Sequence, residues 1–279
     1  MDAPFEIKLL LEIMANIKPY HGGRCVLVER GMMRNKRIIL EHVFYIGDST
    51  MLYDNMNVLE FLMFATAKQK IKPTYRQEQL FEFLIEIGLG HISLTPIKML
   101  SGEEKAIIIL LVAACSESVM IVFNFPEYKF DEILAGAIEK IAGLLMEKGK
   151  TFIFGTKDCL LIEKAFSHTA YLAGGKIIYQ GTVKNLRLQH DRVLLMVRDK
   201  NISQIREKLA PLFPDHKLFL VGDRLLISDC GATNSDPLYI YEKIIGKGFA
   251  PQHISINPKT VQNAYKEIGR QHDLQNQLF

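Results

Sequence analysis

The chain has 279 residues, of which 48% are hydrophobic, and a formal net charge of +3. This length allows one large domain or two smaller ones with a substantial core, and the nearly balanced charge gives no basis for predicting nucleic-acid binding. The four cysteines and eight histidines show no metal-ligand spacing, so no metal site is predicted. No apolar stretch is long enough to cross a bilayer and no secretory leader is recognised, so we expect a cytoplasmic protein.

Helices alternate with apolar strands through the first 183 residues. The hydrophobic spacing predicts helices at 5–17, 56–95, 102–115, 131–147 and 158–166, and strands at 24–29, 37–40, 43–46, 119–123, 151–155, 169–172 and 176–179. Segment 119–123 is too apolar for an edge strand and is typical of a central strand in a parallel sheet. Gly174 and Gly175 predict a hairpin between the last two strands. The alternation favours an α/β fold with helices around a parallel sheet.

The pattern changes near residues 184–191. Beyond it we predict, in order, a strand at 192–198, a helix at 202–212, strands at 217–221 and 223–228, a helix at 236–246, a strand at 251–256 and a helix at 258–268. This order resembles a small ferredoxin-like sandwich. Residues 1–183 and 184–279 are therefore predicted to be separate domains.

A short polar motif opens the most apolar helix of the chain. It reads Leu100-Ser-Gly-Glu-Glu104. One interpretation is a capping box, in which Ser101 caps the helix and Glu104 reaches back to Ser101.

The motif and the strand that follows its helix also resemble the signature motif and Walker B strand of ATP-binding-cassette (ABC) ATPases. Four signature positions match and the second glycine is replaced by glutamate: Leu100, Ser101, Gly102 and Glu104 match, and Glu103 is the replacement. The spacing from Lys105 to Pro126 equals that of the family without a gap. The resemblance implies a P-loop NTPase-like core that is truncated at its N-terminal end. It also implies a helical subdomain at about 56–100 and an α+β accessory domain after the core.

Further landmarks of the family follow in the same register. Asp131 falls at the aspartate of the D-loop, and Asp48 stands at the glutamine of the Q-loop. Segment 151–158 resembles the strand that ends in the switch histidine, with Lys157 in its place. Segment 172–181 resembles the hairpin that comes next.

The phosphate-binding loop of the family would fall on residues 1–8, which contain no glycine. Such a loop needs glycine N–H groups, a lysine for the β- and γ-phosphates and a hydroxyl for magnesium. In register, Glu6 occupies the lysine position and Ile7 the hydroxyl position, with Phe5 and Lys8 on either side. A carboxylate facing a triphosphate is repulsive.

The catalytic positions after strand 119–123 are also replaced. Asn124 stands where the family has the aspartate that supports magnesium, and Phe125 stands where it has the glutamate that orients water. Phenylalanine cannot accept a proton. The resemblance therefore implies a subunit that is not an active enzyme and has no cofactor, although residual weak binding of ATP and magnesium is left open.

Two local interpretations stay open or are set aside. The sequence Gly149-Lys150-Thr151 mimics the end of a phosphate loop, but it joins a helix to a following strand, which is the reverse of the required order. Glu103 either lies close to a nucleotide held by a partner subunit or points into solvent.

The resemblance implies a catalytically degenerate ABC transporter ATP-binding subunit, a pseudo-ATPase. Its expected partners are an ABC permease and a second ABC ATPase subunit, in a homodimer or heterodimer. Its expected location is the inner face of the cell membrane, to which it binds peripherally. The alternative is a stand-alone soluble scaffold or regulatory protein that retains the fold without transport. An ordinary ABC ATPase with a misassigned start is disfavoured, because added upstream strands would not repair Phe125 and Lys157.

Overall fold

A computed structural model describes residues 3–23, 25–27, 30–31, 37, 41–48, 52–190, 192–229, 236–249, 251–257 and 259–276. Two compact units are present. The first comprises residues 1–166 and 172–177, and the second comprises residues 167–171 and 178–279. The boundary predicted at 183/184 stays a prediction.

The first unit is built on a three-stranded parallel sheet. Its strands are β3 (Val43–Ile46), β4 (Met120–Asn124) and β5 (Thr151–Gly155), in that spatial order. Every residue of β4 is buried, because both faces of this central strand are covered. The prediction that 119–123 forms an inner parallel strand is therefore confirmed.

Helix α1 (Ala3–Met14) covers one face of this sheet. Leu11 packs there against Met120 and Val122, with Ile7 at the edge of the same cluster. Successive residues of a strand point to opposite faces, so the even-numbered residues of β4 face α1. Asn124, the last residue of β4, lies on this side.

The other face of the sheet belongs to a larger hydrophobic core, to which the helices that follow in the chain contribute. They are α2 (Val58–Ala65), α3 (Pro73–Glu86), α4 (Gly102–Cys115), α5 (Glu132–Glu147) and α6 (Cys159–Ala165). The region predicted to be helical at 56–95 contains two α-helices, since the first ends at Ala65 and the second begins at Pro73, where proline suits the first helical turn. Two 3₁₀ turns, Gly90–Ile92 and Ile97–Met99, lead to α4.

Short pieces of the N-terminal region depart from the predicted strands. Within 24–29 the described strand is β1 (Val26–Leu27), which pairs antiparallel with β2 (Arg30–Gly31). Within 37–40 the prediction is wrong at Arg37, which is helical, and residues 38–40 lie outside the described residues.

The hairpin near residue 174 has the predicted turn. Strands β6 (His168–Ala173) and β7 (Lys176–Thr182) are joined by Gly174 and Gly175, whose φ angles are 58° and 71°. Two consecutive residues with positive φ suit a type I′ turn, and glycine adopts that conformation without a side-chain penalty.

The second unit contains a four-stranded antiparallel sheet. Helix α7 (Val183–His190), which was not predicted, precedes it. The sheet unit runs β8 (Val193–Arg198), α8 (Ile202–Leu209), β9 (His216–Val221), β10 (Arg224–Asp229), α9 (Pro237–Gly246) and β11 (His253–Ile256), and helix α10 (Val261–Asn276) follows. The strand order is β11-β8-β10-β9. This βαββαβ arrangement confirms the predicted ferredoxin-like sandwich.

Candidate functional site

Asn124 is tied into the interior of the first unit at the end of its central strand. Its side chain donates hydrogen bonds to the carbonyl oxygen of Lys8 at 3.0 Å and to the hydroxyl of Tyr45 at 2.9 Å. Asn124 is only 1% exposed. The residue at the Walker B aspartate position therefore uses its amide to hold α1 against the sheet.

Lys8 and Asp48 form an ion pair beside Asn124. The two side chains are 39% and 59% exposed, so water screens the pair. The hydrogen bond that Lys8 donates to the Asp48 carboxylate raises the pKa of Lys8 above its ordinary value. The acid at the Q-loop position is thus turned toward the protein's own helix.

Tyr45 is a member of this site that the sequence motifs do not identify. Burial raises the pKa of its hydroxyl, which stays protonated near neutral pH. The absence of a side chain at Gly47 leaves room for the Tyr45 ring, since a Cβ at residue 47 would lie 2.5 Å from the Tyr45 hydroxyl oxygen. The available signal was strand alternation: Tyr45 is paired with Val122 and shares the face of Asn124.

The residues at the predicted phosphate loop form helix α1 instead of a glycine loop. Glu6 is 6% exposed, and neither carboxylate oxygen has a hydrogen-bond partner among the described residues. Ile7 packs on the sheet, whereas Phe5 is 53% exposed. The N–H groups of the first helical turn have no partner within the helix, but this turn contains Glu6, whose carboxylate would repel a phosphate there.

Phe125 lies within an aromatic cluster. It is 5% exposed, its ring stacks on Tyr128 at 4.6 Å between centroids, and it meets Phe123 edge-on at 5.0 Å. Burial, followed by the charges of Asp48 and Glu103, raises the pKa of Tyr128. The position of the family's catalytic glutamate is therefore apolar and closed by stacked rings.

The signature motif forms the capping box. Ser101 Oγ accepts from the N–H of Glu104 at 3.1 Å, and Glu104 Oε2 accepts from the N–H of Ser101 at 2.7 Å. Leu100 is buried, Ser101 and Gly102 are exposed, and Glu103 is half-buried. A Cβ at Gly102 would lie 2.9 Å from the Tyr128 hydroxyl. The capping interpretation is confirmed, and it leaves the start of α4 accessible.

The remaining predicted positions have local roles or face outward. Asp131 caps α5 by accepting from the N–H of Leu134 at 2.8 Å. Lys157 is exposed after β5. Lys150 follows the end of α5 and donates to the carbonyl oxygen of Ser116, so the Gly149-Lys150-Thr151 segment has the helix-to-strand order that the sequence indicated.

The donor set does not match that of a magnesium–nucleotide site. Magnesium prefers six oxygen ligands with near-ideal geometry. Asn124 Oδ1 is buried without a partner among the described residues, but it is a neutral oxygen, and the nearby Asp48 is paired with Lys8. Across the described ranges, no group of three or more His, Cys, Asp or Glu side chains could hold a metal ion.

The fold is that of an ATP-binding cassette. A solved dimeric ATP-binding cassette in a post-hydrolysis state, bound to ADP and phosphate, superposes with a TM-score of 0.51 at 15% identity. The match covers 62% of this chain and 79% of that one. At this identity the likeness establishes the fold alone, and it confirms the predicted fold class.

The sequence is similar to ATP-binding proteins of ABC transporters. It is 25% identical over 167 residues to the nopaline permease ATP-binding protein P of Agrobacterium fabrum, covering 60% of this chain and 64% of that protein. It is 24% identical over 167 residues to the histidine/lysine/arginine/ornithine transport ATP-binding protein HisP of Escherichia coli, covering 59% and 63%. The chain thus spans less than two thirds of the length of these relatives. No protein-family model matches the sequence. The resemblance to ABC transporter ATP-binding subunits is confirmed.

Among the described residues, no helix has the length and apolarity that crossing a bilayer requires.

Proposed function

We propose that this chain is an ABC transporter subunit of the ATP-binding type that does not hydrolyse ATP itself. It acts beside an active ATPase subunit and a membrane permease. The observation that carries the proposal is the bonding of Asn124, whose amide is committed to the Lys8 carbonyl and the Tyr45 hydroxyl. These contacts occupy the place where the family's magnesium chemistry would take place.

The neighbouring residues support the loss of turnover. Phosphoryl transfer depends on positioned positive charge and on a group that orients the nucleophile. Here the lysine position holds the buried Glu6, and the position of the catalytic glutamate holds the buried Phe125. Catalytic groups that act as a unit are rarely replaced by a single remaining group. The wild-type protein should therefore have no magnesium-dependent ATPase activity.

The accessible start of α4 supports a role toward a second subunit. Ser101 and Gly102 are exposed at the N-terminus of a 14-residue helix, where N–H groups and the helix dipole favour an anion. Glu103 is half-buried beside Tyr128, so its carboxylate weakens this attraction without covering Ser101. The proposed role is to contribute this helix end to nucleotide held by an active partner.

An exposed aromatic pair supports docking on a permease. Tyr53 and Phe64 meet edge-on with centroids 5.2 Å apart, yet the two residues are 55% and 53% exposed. Such a pair next to helix α2 is suited to an apolar side chain of a short partner helix. One relative is the ATP-binding protein of a nopaline permease and the other is a transport ATP-binding protein. Docking on a permease would place this chain at the inner membrane face.

An ATPase assay tests the chemistry. We expect no magnesium-dependent phosphate release above that of a buffer blank. We also expect magnesium and ATP at about 5 mM to raise the melting temperature by less than about 1 °C. A ligand that binds the native state raises the melting temperature, so a shift this small indicates little binding. Turnover that disappears in Asn124→Ala or Glu6→Ala would contradict the proposal.

Co-purification from membranes tests the assembly. We expect the tagged chain to retain a permease and a second ATP-binding subunit, and Tyr53→Ala combined with Phe64→Ala to release the permease. Tyr75→Ala serves as the control, since Tyr75 is also 55% exposed but lies on α3. A wild-type chain that co-purifies with no membrane protein would support the stand-alone scaffold instead.

A further inference from the structure

A cavity of about 480 Å³ lies in the first unit, away from the Asn124 site. It is bounded by α3, by the C-terminal end of α4 and by the segment 148–150 that follows α5. Its volume is within the range of pockets that hold small molecules, about 300–1,000 Å³. Neither the ABC signature nor the proposed partner contacts use it.

Arg76 is a buried cation on the wall of this cavity. The residue is 8% exposed, and its Nη1 donates to the carbonyl oxygens of Thr66 and Ala67 at 3.3 Å each. Among the described residues, its Nε has no hydrogen-bond partner and no carboxylate pairs with the guanidinium. A buried charge normally has a counter-charge. The carbonyls at the end of α2 supply dipoles but no net charge.

Two lysines bring further positive charge to the same cavity. Lys148 and Lys150 each donate to the Ala114 carbonyl oxygen at 3.5 Å, and Lys150 also donates to Ser116. Burial and then repulsion from Lys148 lower the pKa of Lys150. Because both ammonium groups reach the same carbonyl oxygen, they lie close enough to repel each other, and an anion between them would relieve that repulsion.

The remaining walls limit the kind of anion. Leu80, Phe83 and Leu144 supply apolar surface, and Glu82 and Glu86 bring two negative charges against the three positive ones. The lining therefore carries a formal charge of +1, which balances one negative charge and disfavours a polyphosphate.

From these observations we infer that the cavity binds a small organic monocarboxylate, with its carboxylate at Arg76 and Lys150 and its apolar part against Leu80, Phe83 and Leu144. A planar carboxylate can accept two parallel hydrogen bonds from a guanidinium. The bound molecule would bridge α3, α4 and the segment after α5. It would therefore restrict the motion of α3 relative to α4 and the sheet. This inference does not depend on the proposed transport role.

Titration of the isotopically labelled full chain with hexanoate, followed by ¹H–¹⁵N spectra, tests the inference. We expect saturable shifts at the Cys115 amide and the Gln69 side chain, whose Nε2 donates to the Cys115 carbonyl at 2.9 Å on the cavity wall. Hexanamide, which has nearly the same shape without the charge, should bind at least about tenfold more weakly. Inorganic phosphate, which lacks the apolar part, should also bind more weakly.

Substitutions separate the cavity from a general surface effect. Arg76→Gln and Lys150→Gln should each raise the hexanoate Kd at least about tenfold, whereas Lys164→Gln, an exposed lysine on α6, should leave it unchanged. Because Arg76 is buried and its variant can fail to fold, Lys150→Gln alone is sufficient to decide. A wild-type protein without saturable shifts overturns the inference. So does hexanamide binding equal to that of hexanoate, or a Lys150→Gln Kd within twofold of wild type.

Discussion

The ammonium group of Lys8 on α1 pairs with the carboxylate of Asp48, which lies 40 residues later, just beyond β3. The ion pair lies at the same end of the strands at which Asn124 holds α1 through the Lys8 carbonyl oxygen. An ion pair and an amide thus bind α1 to the carboxyl ends of β3 and β4. The Lys8 and Asp48 charges and the Asn124 amide at the centre of the candidate site are therefore bonded within the protein.

The Lys8–Asp48 pair should contribute modestly to stability. Both groups are more than one third exposed, so a double-mutant cycle with Lys8→Met and Asp48→Asn should give a coupling energy of about 0.2–1 kcal/mol. The measurement is urea unfolding of the four proteins. A coupling energy of zero would show that the pair is fully screened.

The same pair predicts a pH dependence with a defined sign. The folded-state pKa of Lys8 is raised above its ordinary value of 10.5 by the hydrogen bond to Asp48. Its contribution is therefore complete below pH 10.5 and is lost as the pH rises through the folded-state pKa. Unfolding at about pH 9 and about pH 11 should show that wild type loses more stability than Lys8→Met, since other titrating groups affect both proteins equally.

Asn124→Asp should destabilise the protein by about 2–4 kcal/mol instead of restoring a magnesium site. A carboxylate cannot donate to the Lys8 carbonyl and would repel it at a position that is 1% exposed. The cost should shrink as the pH falls, because the protonated carboxyl regains a donor and its folded-state pKa is raised. Asn55→Asp on the exposed surface is the matched control and should have little effect.

The result for Asn124 is read from chemical denaturation with and without magnesium. If Asn124→Asp is as stable as wild type, or if magnesium stabilises it against denaturant, the Asn124 amide does not hold α1 against the sheet.

The main elements of the fold follow from local sequence patterns. Segment 119–123 was predicted as an inner strand from its continuous apolar run, and the βαββαβ order of the second unit was predicted from alternation and turn residues. Helix α7 was missed because its sequence is polar and buries only Val183 and Leu186. The break within the helical region 56–95 could have been located from Pro73, because proline is typical of the first turn of a helix.

The bonding at the candidate site was not accessible from sequence. Register with the ABC family identified Asp48, Asn124 and Lys8 as altered positions. Which of them bond to each other depends on contacts across 40 and 116 residues, and on α1 lying over the even-numbered face of β4. Strand alternation fixes the face of β3 on which Tyr45 lies, but the pairing of Tyr45 with Val122 beside Asn124 is tertiary and has no local signature.

Gly155→Ala should destabilise the protein by about 1–3 kcal/mol. A Cβ there would lie 2.7 Å from both Ile7 Cγ2 and Leu11 Cδ1, so these two side chains or α1 itself must shift. Ile7→Ala removes one of these contacts, and the double variant should cost less than the sum of the single variants. Thermal unfolding measures both effects.

A helical glycine provides the control for Gly155. Gly136 lies inside α5 with nothing within 4 Å of a Cβ, so Gly136→Ala should stabilise by about 0.5–1 kcal/mol through helix propensity. Shifts of opposite sign at the two positions are expected only if α1 packs on Gly155. If Gly155→Ala has the same stability as wild type, α1 does not pack on Gly155.

Substitutions at Ser101 should separate helix capping from a role toward a partner's nucleotide. Ser101→Ala removes the acceptor for the Glu104 N–H and should cost about 0.5–2 kcal/mol, whereas Ser101→Asp keeps a good cap and should be nearly neutral. The carboxylate of Ser101→Asp would, however, repel a phosphate at the start of α4. In the co-purified complex, Ser101→Asp should therefore abolish ATP turnover by the partner subunit while the melting temperature stays at the wild-type value. Glu127→Asp, an exposed acid-for-acid change, is the control. If turnover in the complex survives Ser101→Asp intact, then Ser101 only caps the helix, and the contribution of α4 to the partner's nucleotide must be abandoned.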